Sequence, residues 1–331
     1  MRRKTFIFVI VSMIVLFTIM PTVVSEGAKD GLLLWFMAIV PSLLPFMILS
    51  NILIKMKVTK YINRFLKPLF GIIFGVSAEG SYPILIGFLA GCPVGAKTTA
   101  QLYKNKDIEW EEAQYLLKFC NNLSPMFLIE FIGVKCLDVK RPFLVLAVAA
   151  GSAIINAWLY RVMPAKKKCG GGITKGENCR KDKNDCDIKK DGTSDKNYPT
   201  MEAVDESIGE SCETILKIGG YIILFSIITS IIEYIIPVKY SIIGCILAGI
   251  AEVSTGVMQI AGLNGLSGIL LFNTEIKTLI TVGLCAFGGI SSVAQTYSVI
   301  SDTNLSIKDY MTAKIRQAFI AVMLAILVFR I

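Results

Sequence analysis

The sequence predicts an all-α polytopic membrane protein made of two inverted-topology repeats, each carrying a re-entrant hairpin or a broken helix. Three observations point there. Of 331 residues, 54% are hydrophobic and 18% charged, against roughly 45–50% and 25% in soluble domains, and mean hydropathy is +0.63. Apolar runs of about 20 residues, the length needed to cross a bilayer, recur along the chain. Between them lie two apolar zones interrupted by glycine, proline, asparagine and serine, where an uninterrupted span cannot form.

Met1-Arg2-Arg3-Lys4 precedes the first apolar run. The pattern is that of a signal sequence, but Pro21-Thr22-Val23-Val24-Ser25-Glu26 offers no small-x-small cleavage site, so span 5–24 is expected to remain as a first helix. Its basic flank places the N-terminus in the cytoplasm. Span 31–54 returns, and Lys55, Lys57, Lys60, Arg64 and Lys67 follow with no acidic residue between them, as a cytoplasmic segment should read.

Zone 65–137 then holds Glu79, Pro83, Pro93, Lys97, an amphipathic piece at 107–119 and Asn121-Asn122-Leu123-Ser124-Pro125. Span 142–162 closes the first unit. A polar island between 165 and 213 collects much of the charge and includes Gly170-Gly171-Gly172; most of it reads as a disordered cytoplasmic linker. Span 215–236, a weaker interrupted one at 240–263, a second broken zone at 244–301 and span 306–329 complete the chain. The organisation expected is a first helix at 1–30, one repeat at 31–163, the linker at 164–205 and a second repeat at 206–331.

The two units match in order. Ile86-Gly87-Phe88-Leu89-Ala90-Gly91 parallels Ile243-Gly244-Cys245-Ile246-Leu247-Ala248-Gly249, Asn121-Asn122-Leu123-Ser124 parallels Gly288-Gly289-Ile290-Ser291, and Leu159-Tyr160-Arg161 parallels Val328-Phe329-Arg330. From Gly91 to Gly249, Asn121 to Gly288 and Arg161 to Arg330 the offsets are 158, 167 and 169 residues. With the linker in the cytoplasm, span 215–236 runs outward, opposite to 31–54, and the repeats are inverted. Many secondary transporters are built this way, binding substrate at mid-membrane between interrupted helices. Lys135, Lys140 and Arg141 fall on the outside in this topology, against the positive-inside rule.

Gly91-Cys92-Pro93-Val94-Gly95-Ala96-Lys97-Thr98 departs from the phosphate-binding pattern G-x-x-x-x-G-K-[ST] only at Ala96. That loop also needs a preceding buried strand and a partner acid for magnesium, and neither is visible, so a hairpin turn made by Gly91, Pro93 and Gly95 is the better reading. Lys97 then supplies a cation to a substrate, or snorkels to the interface. Asn121, Asn122 and Ser124 before Pro125 make a helix start, whose free N–H groups and positive dipole end suit an anion. Gly288 and Gly289 before Ser291 and Ser292 have the same physics, with Gln295 one turn on. Glu252, between Ala251 and Val253, sits where a charge costs about 2.5–3.5 kcal/mol at mid-depth, and is a candidate to couple transport to H+ or Na+.

Several classes are excluded. The chain has no histidine, and its nine cysteines include no C-x-x-C pair; Cys169, Cys179 and Cys186 fit no standard metal spacing. No nucleophile–base pair, metal cluster or cofactor motif is present, so neither an enzyme nor a cofactor is expected. The net charge of +9 is explained by helix ends and cytoplasmic loops, without a nucleic-acid partner.

GFLAGCPVGAKTTAQLY followed by LLKFCNNLSPMFLIEFIGV, with FGGISSVAQTYSVISDTNLSIKDY near the C-terminus, resembles the sporulation integral membrane family called YlbJ or SpoVV, within the gate-domain (nucleoside-recognition) superfamily. Cys92 stands where that pattern carries an aromatic residue, so no contact is assigned to it. The resemblance implies a multi-span protein of the outer forespore membrane, related to concentrative nucleoside transporters, that moves dipicolinate. On this reading Lys97, Asn121, Asn122, Ser124, Ser291 and Gln295 contact the small anion. The expected partners are that anion, the bilayer, a coupling H+ or Na+ and a second copy of the chain, although oligomeric state is left open. A nucleoside transporter and a non-transporting scaffold for spore assembly are the alternatives.

Overall fold

Apolar sequence that excludes water forces each backbone N–H and C=O to pair within its own segment, and helices answer that demand. The computed structural model describes residues 3–56, 59–162, 200–236, 241–263 and 274–329. Among them are fourteen α-helices and two π-helical stretches. Five helical segments are long and apolar enough to cross a membrane: Pro21–Leu53, Phe143–Val162, Met201–Ile235, Thr274–Ile300 and Ile307–Phe329.

The first of these corrects the expected boundary between spans 5–24 and 31–54. Helix α1 (Arg3–Ile19) ends before Met20, and α2 (Pro21–Leu34) runs on through a π-helical stretch, Trp35–Ile39, into α3 (Val40–Lys55). Pro21 takes the first helical position, where its missing N–H costs nothing. The residues between those two expected spans, 25–30, are helical and pack. Gly27 and Gly31 lie so close to Ser230 and Ser226 that a Cβ at either position would come within 3.0 Å of those side chains.

Those seats belong to α9 (Thr200–Ile235), a helix of 36 residues. It begins well before the expected 215, because residues 203–214 have a face to bury: Ala203, Ser207 and Ser211 are buried, and Asn51 donates to Ser211 at 2.9 Å. Lys55 closes the far end on Glu206 and Glu210 at 2.6 and 3.0 Å. Along the pair, Gly27 meets Ser230, Gly31 meets Ser226, Trp35 donates to the Ile215 carbonyl, and Lys55 meets Glu206. Rising numbers on one helix meet falling numbers on the other, so α9 is antiparallel to α2–α3. Residues 164–199 of the expected linker lie outside the described residues.

Each half then repeats one order. After the amphipathic α4 (Thr59–Phe74), α5 (Ser81–Leu89) and α6 (Val94–Lys104) form a helical hairpin. Helix α7 (Trp110–Leu117) stops, the chain runs non-helically through Asn121-Asn122-Leu123-Ser124, and a π-helical stretch, Phe127–Cys136, resumes it. Helix α8 (Phe143–Val162) follows. In the second half α10 (Ser241–Ala251) and α11 (Val253–Gly262) make the hairpin, so the expected weak span at 240–263 is two short helices turning at Glu252. Helix α12 (Thr274–Phe287) breaks at Gly288 and resumes as α13 (Gly289–Ile300), with α14 (Ile307–Phe329) last.

Candidate functional site

Each hairpin tip rests on the break of the helix that follows it. At the first tip Gly91 has φ +83°, and a Cβ there would meet the Ser124 amide nitrogen at 2.7 Å. The Cys92 N–H donates to the Asn122 carbonyl at 2.6 Å, so the turn satisfies a backbone group freed by the broken helix. Pro93 stands just before the first residue of α6, as a helix start allows. Gly87 and Gly95 face one another across the hairpin, and a Cβ on either would overlap the Cys120 carbonyl oxygen.

The second tip is built on Glu252. Its backbone is extended, and its Oε2 accepts the Thr255 N–H at 2.7 Å, capping α11. Glu252 is 3% exposed. Gly288 and Gly289 have φ +86° and +78°, a conformation only glycine adopts freely, and a Cβ on Gly289 would lie 3.2 Å from the Val253 nitrogen.

A cavity lies where the two tips and two breaks meet. Cys92 and Ser124 line it from the first half, and Glu252, Ser254, Gly288, Ser291, Ser292 and Gln295 from the second. Ile39 and Leu43 on one side and Ile218 and Ile222 of α9 complete an apolar wall. Apart from the Glu252 carboxyl and the Cys92 thiol, the polar side chains of the lining are hydroxyl and amide: Gln295 donates to Ser291 at 3.2 Å, Ser124 accepts the Phe127 N–H at 3.3 Å, and Cys92 Sγ lies 3.4 Å from Ser292 Oγ.

Lys97 lines an adjoining cavity together with Pro93, Thr214, Tyr221 and Ser298, and Gln295 and Ile218 line both. Its Nζ donates to Thr214 at 3.3 Å. A third cavity continues past Lys97 to Gln101 and Lys104, and Lys104 reaches Asp302 at 3.1 Å. That hydrogen bond holds the Asp302 carboxyl below the usual carboxylate range.

The structure thus brings Ser124, Ser291, Gln295 and Glu252 to one inner cavity and places Lys97 one cavity away. Asn121 and Asn122 line none of these three cavities, because Asn121 is turned between α13 and α14 and Asn122 into α14. Asn121 donates to Thr296 at 2.7 Å and to Tyr310 at 3.0 Å, and Asn122 Oδ1 accepts from Lys314 and Gln317 at 3.2 and 2.9 Å. Lys314 is the residue that sequence reasoning missed. Ionisable and 2% exposed, it sits inside the expected last span, where a buried charge is a signal worth reading. Ser254 and Ser292, also cavity residues, adjoin residues already singled out.

This arrangement has known relatives. Residues 36–138, from the π-helical stretch before α3 to just past the first broken helix, match the family model described as Gate: nucleoside recognition. That stretch is similar to the Gate domain and makes up less than a third of the chain. Over most of its length the chain is similar to the sporulation integral membrane protein YlbJ of Bacillus subtilis (strain 168), 24% identical over 350 residues that cover 94% of this chain and 78% of the relative. The structure of a CNTnw double variant in an outward-facing state superposes with TM-score 0.50 at 13% identity, covering 95% of this chain and 85% of that one. At that identity the likeness shows the fold, that of the concentrative nucleoside transporters. The stretch that matches the Gate model therefore holds the first hairpin and the first broken helix of an integral membrane protein with this fold.

Proposed function

We propose that the protein is a secondary transporter of a small anion, dipicolinate (pyridine-2,6-dicarboxylate), across the outer forespore membrane during sporulation. The observation that carries this reading is the convergence of both hairpin tips and both helix breaks on one cavity lined by Ser124, Ser254, Ser291, Ser292 and Gln295. Hydroxyl and amide donors at a helix start hold carboxylate oxygens well. Lys97, in the adjoining cavity, supplies a cation on the approach. The similarity to a sporulation membrane protein supports the setting.

The two hairpins leave the site in opposite directions along α9. Lys97 of α6 reaches Thr214, whereas Thr255 and Gln259 of α11 bond Ser226 and Glu233. Together with the antiparallel α2–α3 and α9, this supports inverted repeats and access from alternate sides. Glu252 faces the inner cavity, and its negative charge would repel a dianion. One proton on it removes that repulsion, which makes H+ the coupling ion in this reading.

The test is uptake of dipicolinate into proteoliposomes. Saturable uptake is expected, reduced about 10-fold or more in Lys97→Met, the loss of one charge-assisted contact. Uptake unchanged in Lys97→Met would remove Lys97 from the pathway. A nucleoside is the second reading, favoured by the absence of a cationic side chain from the inner cavity's lining and by the Gate match. Competition by uridine but not dipicolinate would establish it, and saturable binding of neither would leave the scaffold role.

A further inference from the structure

Behind the first helix break, Lys314 of α14 is held by three oxygens. Its Nζ donates to the Asn121 carbonyl at 3.2 Å, to Asn122 Oδ1 at 3.2 Å and to Gln317 Oε1 at 3.0 Å. All three partners are neutral. An ammonium has three N–H donors, whereas the neutral amine has two, so the number of acceptors matches the charged form. The amide orientations are fixed as well. Asn122 Nδ2 donates to the Phe119 carbonyl at 2.7 Å, and Gln317 Nε2 donates to Asn122 Oδ1 at 2.9 Å. Turning either amide over would aim N–H groups at the ammonium.

A cage of oriented carbonyl oxygens is what replaces the water shell of a monovalent cation, and a buried charge is tolerated only when it is fully hydrogen-bonded. Here one of the oxygens is a backbone carbonyl left without a helical partner by the break between α7 and Phe127–Cys136. The same Asn121 donates through Nδ2 to Cys92 Sγ at 3.4 Å, and Cys92 lines the inner cavity. The cage thus fixes the chain segment on which the first hairpin tip rests.

We propose that Lys314 is a tethered cation: its ammonium fills, from within the chain, a monovalent-cation site at the first helix break, which assembles without Na+. Lys314 is a positioning residue on this view, and the site is one for Na+ or an alkylammonium ion once the lysine is cut back. The inference does not depend on the substrate.

The test is thermal unfolding of the purified full-length protein in NaCl, in methylammonium chloride and in choline chloride, whose cation is too large for the cage. Wild type is expected to melt at one temperature in all three. Lys314→Ala is expected to melt lower by about 5 °C or more, and to recover in saturable fashion with Na+ or methylammonium but not choline. Lys314→Met, which fills the space without charge, is expected to melt lower and not to recover. A Na+-dependent shift in wild type, wild-type stability of Lys314→Met, or a Lys314→Ala protein indifferent to small cations would each overturn the proposal. Should Lys314→Ala not accumulate, the pair Lys314→Met and Gln317→Leu decides. If Gln317 serves the charge, its loss lowers melting less in the Met background than in wild type, whereas equal shifts in both would count against the cage.

Discussion

At Glu252 the side chain that faces the inner cavity also accepts the Thr255 N–H, so its replacement alters a helix cap and a charge together. Two substitutions separate them. Glu252→Gln keeps an acceptor oxygen for the cap and removes the charge; it is expected to melt within about 1 kcal/mol of wild type while uptake loses its dependence on pH. Glu252→Ala loses the cap as well, at about 1 kcal/mol. A Glu252→Gln protein with the wild-type pH profile of uptake would end the proposed coupling role. The candidate residues that line the inner cavity share this position: Ser124, Ser291, Gln295 and Glu252 are polar groups at interruptions of apolar sequence, where few environments other than a lined cavity can satisfy them. Asn121 and Asn122 carry the same local pattern, but their partners Tyr310, Lys314 and Gln317 are about 190 residues away in the chain, and local sequence does not record which way an amide turns. Lys314 was hidden for a related reason: between Lys308 and Arg316 it reads as one of several charges at a helix end.

The hairpins were legible as elements because Gly91, Pro93 and Gly95 in one and the charge of Glu252 in the other forbid a plain span. What the glycines touch was not legible. Gly87 and Gly95 admit the Cys120 carbonyl between the arms of the first hairpin, a contact set by the chain's return after α7. Gly95→Ala must push that carbonyl aside. Overpacking of this kind costs about 1–3 kcal/mol, and because Cys120 precedes the break, the damage should reach the cavity: the expected result is lower melting with a loss of uptake. Gly209→Ala in α9 is the control. Nothing lies within 4 Å of a Cβ placed there, so it should stabilise by about 0.5–1 kcal/mol through helix propensity alone. Equal behaviour of the two variants in a melting assay would contradict the close packing at the first hairpin. The misplaced helix ends have equally physical causes. Pro21 starts a helix more readily than it ends one, and the polar residues of the first turns of α9 are helical because α3 gives them Asn51 and Lys55 as partners.

Across the whole molecule, the sense in which each hairpin leaves the site follows from its contacts on α9. Helix α6 leads from the tip toward Thr214, on the half of α9 that begins at Glu206 beside Lys55, and α11 leads toward Glu233 at the other end. If the basic run from Lys55 to Lys67 faces the cytoplasm, as the positive-inside rule expects of such a run, the base of the first hairpin faces the cytoplasm too, and the base of the second faces outward. Single cysteines test this in intact cells of a heterologous host, with a membrane-impermeant maleimide. Lys106→Cys lies in the exposed loop after α6, and Gly262→Cys has open space at the end of α11. Gly262→Cys is expected to label in intact cells, and Lys106→Cys only once the membrane is permeabilised. Labelling of both from one side would break the proposed inverted arrangement. The inner cavity would remain, but its two hairpins would gate the same side, and a transporter needs one on each.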